Sequence, residues 1–315
     1  MITVSLSYPV LPELLQTWGR PQVMAIGQFD GLHMGHASVI RNAIAFGRKY
    51  EYPVSVMTFY PHPKEVMKKG DYEGYLTPLA EKQEVLESMG VDILYIVEFN
   101  SEFSQVSPSD FVQQLLLPLQ VKQAVVGFDF RFGHRGEGTE ALLRELGGEE
   151  MQVETVPPYE LDGEKVSSSG IRRALQDGDY ARAHSWLGRP YRVRGIVADG
   201  EKRGRTIGFP TANLQLEDNF AMPTKGVYAV KAHVRGGVYN GVMNVGVKPT
   251  FHDGVTRPSF EVHLFDFAED IYGEQVKVDL YHYIRPERKF SSVDELVAQI
   301  RHDADTARQL LSSAE

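Results

Sequence analysis

The stretch Gln22-Val23-Met24-Ala25-Ile26-Gly27-Gln28-Phe29-Asp30-Gly31-Leu32-His33-Met34-Gly35-His36 runs from an apolar segment into a glycine-rich turn, and Ala37 to Lys49 then have the composition of a helix. A strand feeding a helix through such a turn predicts a phosphate site. Glycines let backbone approach a phosphate, and the free N–H groups of a helix N-terminus carry partial positive charge. His33 and His36 stand three apart, so in a first helical turn they project to one side. Imidazole donors there would stabilise charge developing on a polyphosphate. Zinc is the weaker reading of the pair, because the segment offers no third ligand.

Further strand-like runs follow at Pro53 to Phe59, Val91 to Val97 and Val121 to Gly127, with helical stretches from Pro78 to Met89 and Pro108 to Leu117. Ser107 caps the second of these helices and Pro108 takes its first position. Continuous apolar strands alternating with helices predict a parallel sheet covered on both faces, with ligands at the carboxyl ends of its strands. Two shorter helical pieces, Ile171 to Gln176 and Tyr180 to Leu187, end at Gly188-Arg189-Pro190. A domain boundary is placed there, giving domains 1–187 and 188–315.

Beyond the boundary, Tyr191 to Val197, Gly226 to Val234, Val238 to Val245, Ser259 to Phe265 and Gln275 to Ile284 read as strands with no helices between them. Closely spaced antiparallel strands favour a small closed barrel or a sandwich. Only the end is helical: Ser292 with Glu295 forms a capping box, and Leu296, Ile300, Ala304 and Ala307 fall on one face.

The 315 residues carry 33 Lys and Arg against 42 Asp and Glu, a net charge of −9 that argues against a nucleic-acid partner. Cysteine is absent, which excludes disulfide, thiolate-metal and thiol chemistry. No run reaches the ~20 apolar residues of a membrane span. Met1 to Gly19 also lacks the basic residues of a signal peptide, so a cytoplasmic protein without a membrane partner is expected. The acidic excess is confined to one part: 16 basic and 25 acidic residues up to Trp186, then 17 of each from Leu187. Such asymmetry suggests two modules with different ligands.

The string from Gly27 to His36 resembles the His-x-Gly-His signature of the nucleotidyltransferase superfamily, in the longer form carried by the adenylyltransferase module of bacterial bifunctional riboflavin kinase/FAD synthetases. Thr58-Phe59-Tyr60-Pro61-His62-Pro63, Leu76-Thr77 with Glu81-Lys82, and Gly127-Phe128-Asp129-Phe130-Arg131-Phe132-Gly133 are similar to that family in the same order. Ser167-Ser168-Ser169-Gly170-Ile171-Arg172 resembles its Ser-Ser-Thr-x-Ile-Arg segment, with serine at the third place. The resemblance implies a Rossmann-like α/β domain in which Gly27, Phe29, Asp30, Gly35, Ser167, Ser168 and Arg172 meet ATP. It also implies adenylyl transfer at His33 and His36, with Asp129, Phe130 and Arg131 as candidate flavin contacts. From the residues alone, the alternating phenylalanines pack a core and the serines cap a helix.

In the second part, Arg189 to Arg205 holds six basic and two acidic residues, and its glycines would let backbone amides close around phosphates. Gly195, Gly204 and Arg205 are the candidate contacts. The segment is no P-loop, since Gly-Lys-Ser/Thr occurs nowhere in the chain. Gly208-Phe209-Pro210-Thr211-Ala212-Asn213 resembles the Pro-Thr-Ala-Asn motif of riboflavin kinases, which implies a magnesium site at Thr211 and Asn213, both hard oxygen donors. The segments from Asn244 to Phe251, Glu261 to Phe267 and Arg285 to Phe290 continue the likeness, which makes Glu261 the general base. On a strand Glu261 and His263 face the same side, so in isolation a solvent-facing polar pair is the simpler reading.

The resemblance spans about residues 20 to 310. It implies an α/β domain followed by a β-barrel with a terminal helix, and a bifunctional enzyme. Riboflavin is phosphorylated to FMN by ATP, and FMN is then adenylylated to FAD with release of pyrophosphate, with Mg2+ as cofactor. Homo-oligomerisation is left open. Two rivals are a monofunctional adenylyltransferase with an inactive second domain and a flavin-sensing binding protein on the same scaffold.

Overall fold

In the computed structural model, which describes residues 1–67, 72–199, 204, 207–249 and 256–312, the chain divides into two units. One comprises Met1–Tyr72 and Thr77–Ser167, the other Glu73–Leu76 and Ser168–Glu315.

In the first unit, β1 (Ile2–Leu6), β2 (Gln22–Ile26), β3 (Val54–Tyr60), β4 (Ile93–Glu98), β5 (Val121–Gly127) and β6 (Gln152–Val156) form one sheet in the order β1-β4-β3-β2-β5-β6. Every pairing is parallel. The central strands are mostly apolar on both faces because alternate residues feed two cores. Met24, Ile26, Ala124 and Val126 enter one core with Phe111, Leu115 and Leu143. Val23, Ala25 and Val125 enter the other with Val39, Ile40 and Leu86. Helices α1 (Pro12–Trp18), α2 (Met34–Tyr50), α3 (Pro63–Val66), α4 (Leu79–Ser88), α5 (Pro108–Phe111) and α6 (Glu140–Gly147) join the strands, and a small hairpin, β7 (Glu160–Leu161) with β8 (Glu164–Lys165), follows β6. From β2 the chain builds outward through β3 and β4, then returns to place β5 on the other side of β2. Ligands collect where strand order reverses in this way. The carboxyl ends of β2 and β5 deliver the Gly27 to His36 turn and the Phe128 to Phe132 loop.

In the second unit, β9 (Tyr191–Ala198), β10 (Ala212–Leu216), β11 (Gly226–Val234), β12 (Gly237–Pro249), β13 (Thr256–Leu264) and β14 (Gln275–Arg285) close a barrel in the order β10-β13-β12-β11-β14-β9. Helices α7 (Ser168–Asp177), α8 (Tyr180–Leu187) and α9 (Val293–Ser312) complete it. Although α8 precedes the 187/188 boundary, it packs on the barrel: the Tyr180 hydroxyl donates to that of Tyr228, and His184 Nε2 lies 2.6 Å from the Leu280 carbonyl oxygen. Burial pushes the Tyr180 and Tyr228 hydroxyls up and the His184 imidazole down from their ordinary pKa values. The strap Glu73–Leu76 is held by Tyr75, which exchanges backbone hydrogen bonds with Asn219 and Ala221.

Of the strands, β1, β6, β7, β8 and β10 have no counterpart among the segments expected from the sequence. The helix expected from Pro108 to Leu117 forms as α5 and then a π turn, Val112–Leu116. Ser107 caps it, its hydroxyl oxygen accepting from the Asp110 N–H.

Candidate active sites

The turn after β2 holds two non-glycine residues in left-handed backbone, Phe29 at φ 49° and Leu32 at φ 42°. Each costs about 1–2 kcal/mol. The surroundings hold it in place: Gln28 Nε2 donates to the Phe59 carbonyl at 3.1 Å, and the Thr77 N–H donates to the buried Asp30 carboxylate at 3.2 Å. The turn ends at His33, whose side chain caps α2 by accepting the His36 N–H at Nδ1, 3.3 Å away. An accepting Nδ1 leaves the neutral ring's proton on Nε2. The His33 and His36 rings stack at 3.7 Å, with the Phe29 ring edge-on to His36 at 5.4 Å. Gly35 permits this, since a Cβ there would come within 3.1 Å of the His33 ring. The structure thus brings Phe29, His33, Gly35 and His36 together at the carboxyl end of β2, where Gly27 follows the strand. Ser167 is the last residue of the first unit. Ser168 opens α7 in the second, and Arg172 on α7 donates to the Gly74 carbonyl at 2.7 Å.

Beyond β5, Asp129 accepts from Lys165 at 3.1 Å, and the Lys165 ammonium also lies over the Phe128 ring. Phe130 stacks on buried Phe132. Of the three flavin candidates, Arg131 lines a cavity of about 210 Å³ walled by Phe59, Phe99, Phe103, Phe111 and Phe132. Phe59 and Phe132 lie inside motifs quoted above, whereas Phe99, Phe103 and Phe111 carry no sequence signal for this aromatic wall.

Among the described residues, two cavities lie against the barrel. One, of about 300 Å³, is lined among others by Gly204, Phe209, Thr211, Glu261, His263 and Phe290. The second, of about 450 Å³, lies against Thr211, Val262 and the segment Phe267 to Tyr272. Thr211 borders both. In the ladder, Glu261 is paired with Asn213 on one side and Asn244 on the other. Residues directly opposite in a sheet share a face, so the three form a polar row. Glu261 accepts from the Ser259 hydroxyl at 3.2 Å, and Asn244 donates to Glu287 at 3.2 Å. His263 Nδ1 lies 2.7 Å from the Pro210 carbonyl oxygen, tying β13 to the turn that carries Thr211. The Glu261 and His263 pair therefore faces a cavity rather than open solvent. Gly195 sits within β9, paired with β10 and β14, and lines neither cavity. Arg205 lies outside the described residues. The wall is closed by Asp303 of α9, which takes a bidentate ion pair from Arg285.

Residues 16–170 match the FAD synthetase family and residues 187–311 the riboflavin kinase family. The bifunctional riboflavin kinase/FMN adenylyltransferase of Bacillus subtilis is 43% identical over 99% of both chains. This chain belongs to that bifunctional family. It is a transferase with a kinase domain and a nucleotidyltransferase domain for FMN and FAD synthesis. The Escherichia coli member is 41% identical over 91% of this chain and 92% of its own. A crystal structure titled as a macrolide-efflux protein from Streptococcus pneumoniae is 36% identical, covers 98% of this chain and 99% of its own, and superposes with a TM-score of 0.87. Among the described residues, no helix is long and apolar enough to cross a membrane.

Phosphoryl transfer from ATP commonly proceeds with magnesium bridging the phosphate oxygens. No three His, Cys, Asp or Glu side chains gather as a metal cage among the described residues. The oxygens of Thr211 and Asn213 next to Glu261 fit an ion that takes few protein ligands and completes its shell with phosphates and water.

Proposed function

We propose that the barrel phosphorylates riboflavin and that the parallel-sheet unit adenylylates FMN, with the activities dividing between residues 1–187 and 188–315. The observation that carries the kinase assignment is Thr211, which borders both cavities while Glu261 opens into one. Riboflavin occupies the Glu261 cavity, beside Phe290, and ATP the other, so the γ-phosphate crosses at Thr211. Glu261 takes the proton of the ribityl 5′-hydroxyl as that oxygen bonds to the γ-phosphorus, and the bond to the leaving ADP oxygen breaks. Mg2+, held through Thr211 and Asn213, would neutralise charge on the phosphates. Gly204, which lines the Glu261 cavity with Thr211, meets the γ-phosphate at that crossing, and Gly195 and Arg205 keep the phosphate-binding role expected for them.

In adenylyl transfer a phosphate oxygen of FMN bonds to the α-phosphorus of a second ATP, and the electron pair of the broken bond leaves with pyrophosphate. The His33 Nε2–H and His36 donate to that developing charge. Gly27, Phe29, Asp30 and Gly35 shape the turn, and Ser167, Ser168 and Arg172 keep the phosphate-binding role implied for them. The isoalloxazine ring lies in the aromatic cavity beside Arg131, with Asp129 and Phe130 adjoining. The protein acts in the cytoplasm on small molecules, not on nucleic acid or membrane.

Chromatography of riboflavin, ATP and Mg2+ mixtures over time tests the division. His36→Ala blocks FAD formation while FMN accumulates. Glu261→Ala stops FMN production yet still converts supplied FMN to FAD. A His36 variant making normal FAD, or a Glu261 variant making normal FMN, overturns the assignment.

A further inference from the structure

Beneath the Gly27 to His36 turn lies a buried cation. Lys82 on α4 is 3% exposed, and its Nζ donates to the Gln28 carbonyl at 2.8 Å and to the Thr58 hydroxyl at 3.0 Å. Thr58, at the end of β3, donates to the same Gln28 carbonyl at 2.9 Å. One ammonium thus ties α4 and β3 to the residue preceding Phe29, where the backbone enters its left-handed turn. Phe29 in turn meets the His36 ring. Charged groups fully buried away from water are uncommon unless paired, because desolvation penalises them. The acidic group acting on this one is Asp30, on the turn itself, while Glu81 precedes it on α4, and both carboxylates are buried.

We propose that Lys82 is a positioning residue for adenylyl transfer, its ammonium fixing the turn that presents His33 and His36. The proposal rests on the adenylyl-transfer reading of those histidines. A neutral residue of the same length would fill the space but leave the Gln28 carbonyl with the Thr58 hydroxyl alone. Burial lowers Lys82 to about 8, against the opposing pull of Asp30. The ammonium therefore loses its charge as pH rises past that value, and its hydrogen bonds to the Gln28 carbonyl and the Thr58 hydroxyl weaken as they lose charge assistance.

The test uses full-length wild type, Lys82→Met, Lys82→Arg and His36→Ala, assayed for FMN adenylylation and, as an internal control on the same chains, riboflavin phosphorylation. A misplacement of about 1 Å is worth roughly 100-fold in rate. Lys82→Met should lose kcat for adenylylation on that scale with KM for FMN little changed and kinase activity intact. Lys82→Arg, whose charge does not titrate, should recover most of kcat and hold it above pH 8, where wild type should decline. Wild-type kcat in Lys82→Met overturns the proposal, and so does an unchanged alkaline decline in Lys82→Arg, which also decides the matter if Lys82→Met does not fold. Normal FAD formation by His36→Ala would instead overturn the histidine reading, so the two failures are distinguishable.

Discussion

His33 caps a helix and offers a proton donor with the same ring. The cap consumes Nδ1 and so selects the tautomer that carries its proton on Nε2. Gly35 is the residue that makes this affordable in space. Gly35→Ala adds a better helix former inside α2, worth up to ~1 kcal/mol, but drives a Cβ to within 3.1 Å of the His33 ring. The expected outcome is an unchanged or raised melting temperature with roughly tenfold slower FAD synthesis and normal FMN synthesis, since small displacements at a reacting centre are costly. A combined melting and product assay checks it. Residue types and spacing point to His33 and His36, whereas Thr211, Asn213 and Glu261 rest on the resemblance to riboflavin kinases, since in isolation they read as a turn and a solvent-facing pair. Spacing and resemblance alike leave Asn244 and the Phe59 to Phe132 wall without a role, although all three residues lie in quoted segments, because a cross-strand register and a cavity are made by residues far apart in the chain.

The elements that went unread failed for local reasons. In β10, Ala212-Asn213-Leu214-Gln215-Leu216 starts inside a Thr-x-Asn sequence that favours turns, and only its neighbours β9 and β13 make it a strand. The π turn after α5 offers no periodicity that distinguishes it from ordinary helix. By contrast α9 was legible, and its cap is nearly as expected: the Ser292 hydroxyl accepts the Glu295 N–H, while the Glu295 carboxylate accepts from Ser291 instead of Ser292. What the pattern could not give is how α9 is fixed. Asp303, 2% exposed, accepts from Arg285 at 2.7 Å and from Gln299 at 2.7 Å. Breaking a buried pair from one side costs about 3–5 kcal/mol. Asp303→Ala should therefore lower the barrel's denaturation midpoint and weaken riboflavin binding, because the same carboxylate borders the Glu261 cavity; urea melts and flavin titration measure both.

At the scale of the whole chain, charge asymmetry and the change from alternating helices to uninterrupted strands disclosed two modules and the class of each. They place a boundary at 187/188, while the backbone assigns 168–187 and 73–76 to the barrel's unit. Short helices with few apolar positions do not announce in sequence which neighbour they cover. A fragment of residues 188–315 lacks the Tyr180 to Tyr228 and His184 to Leu280 contacts. It should melt below a fragment of 168–315, by several degrees if the lost contacts are worth about 1–2 kcal/mol, and calorimetry of the two fragments decides this.

The strap at 73–76 also sets an order of events during synthesis. Tyr75 leaves the ribosome long before Asn219 and Ala221, the residues it pairs with. Through that interval the first unit can complete its sheet, but Gly74 and Tyr75 must wait as an exposed extended segment for strands not yet made. Nascent chains stalled before β10 should therefore be open to protease at the strap, and those released after β14 should be closed to it.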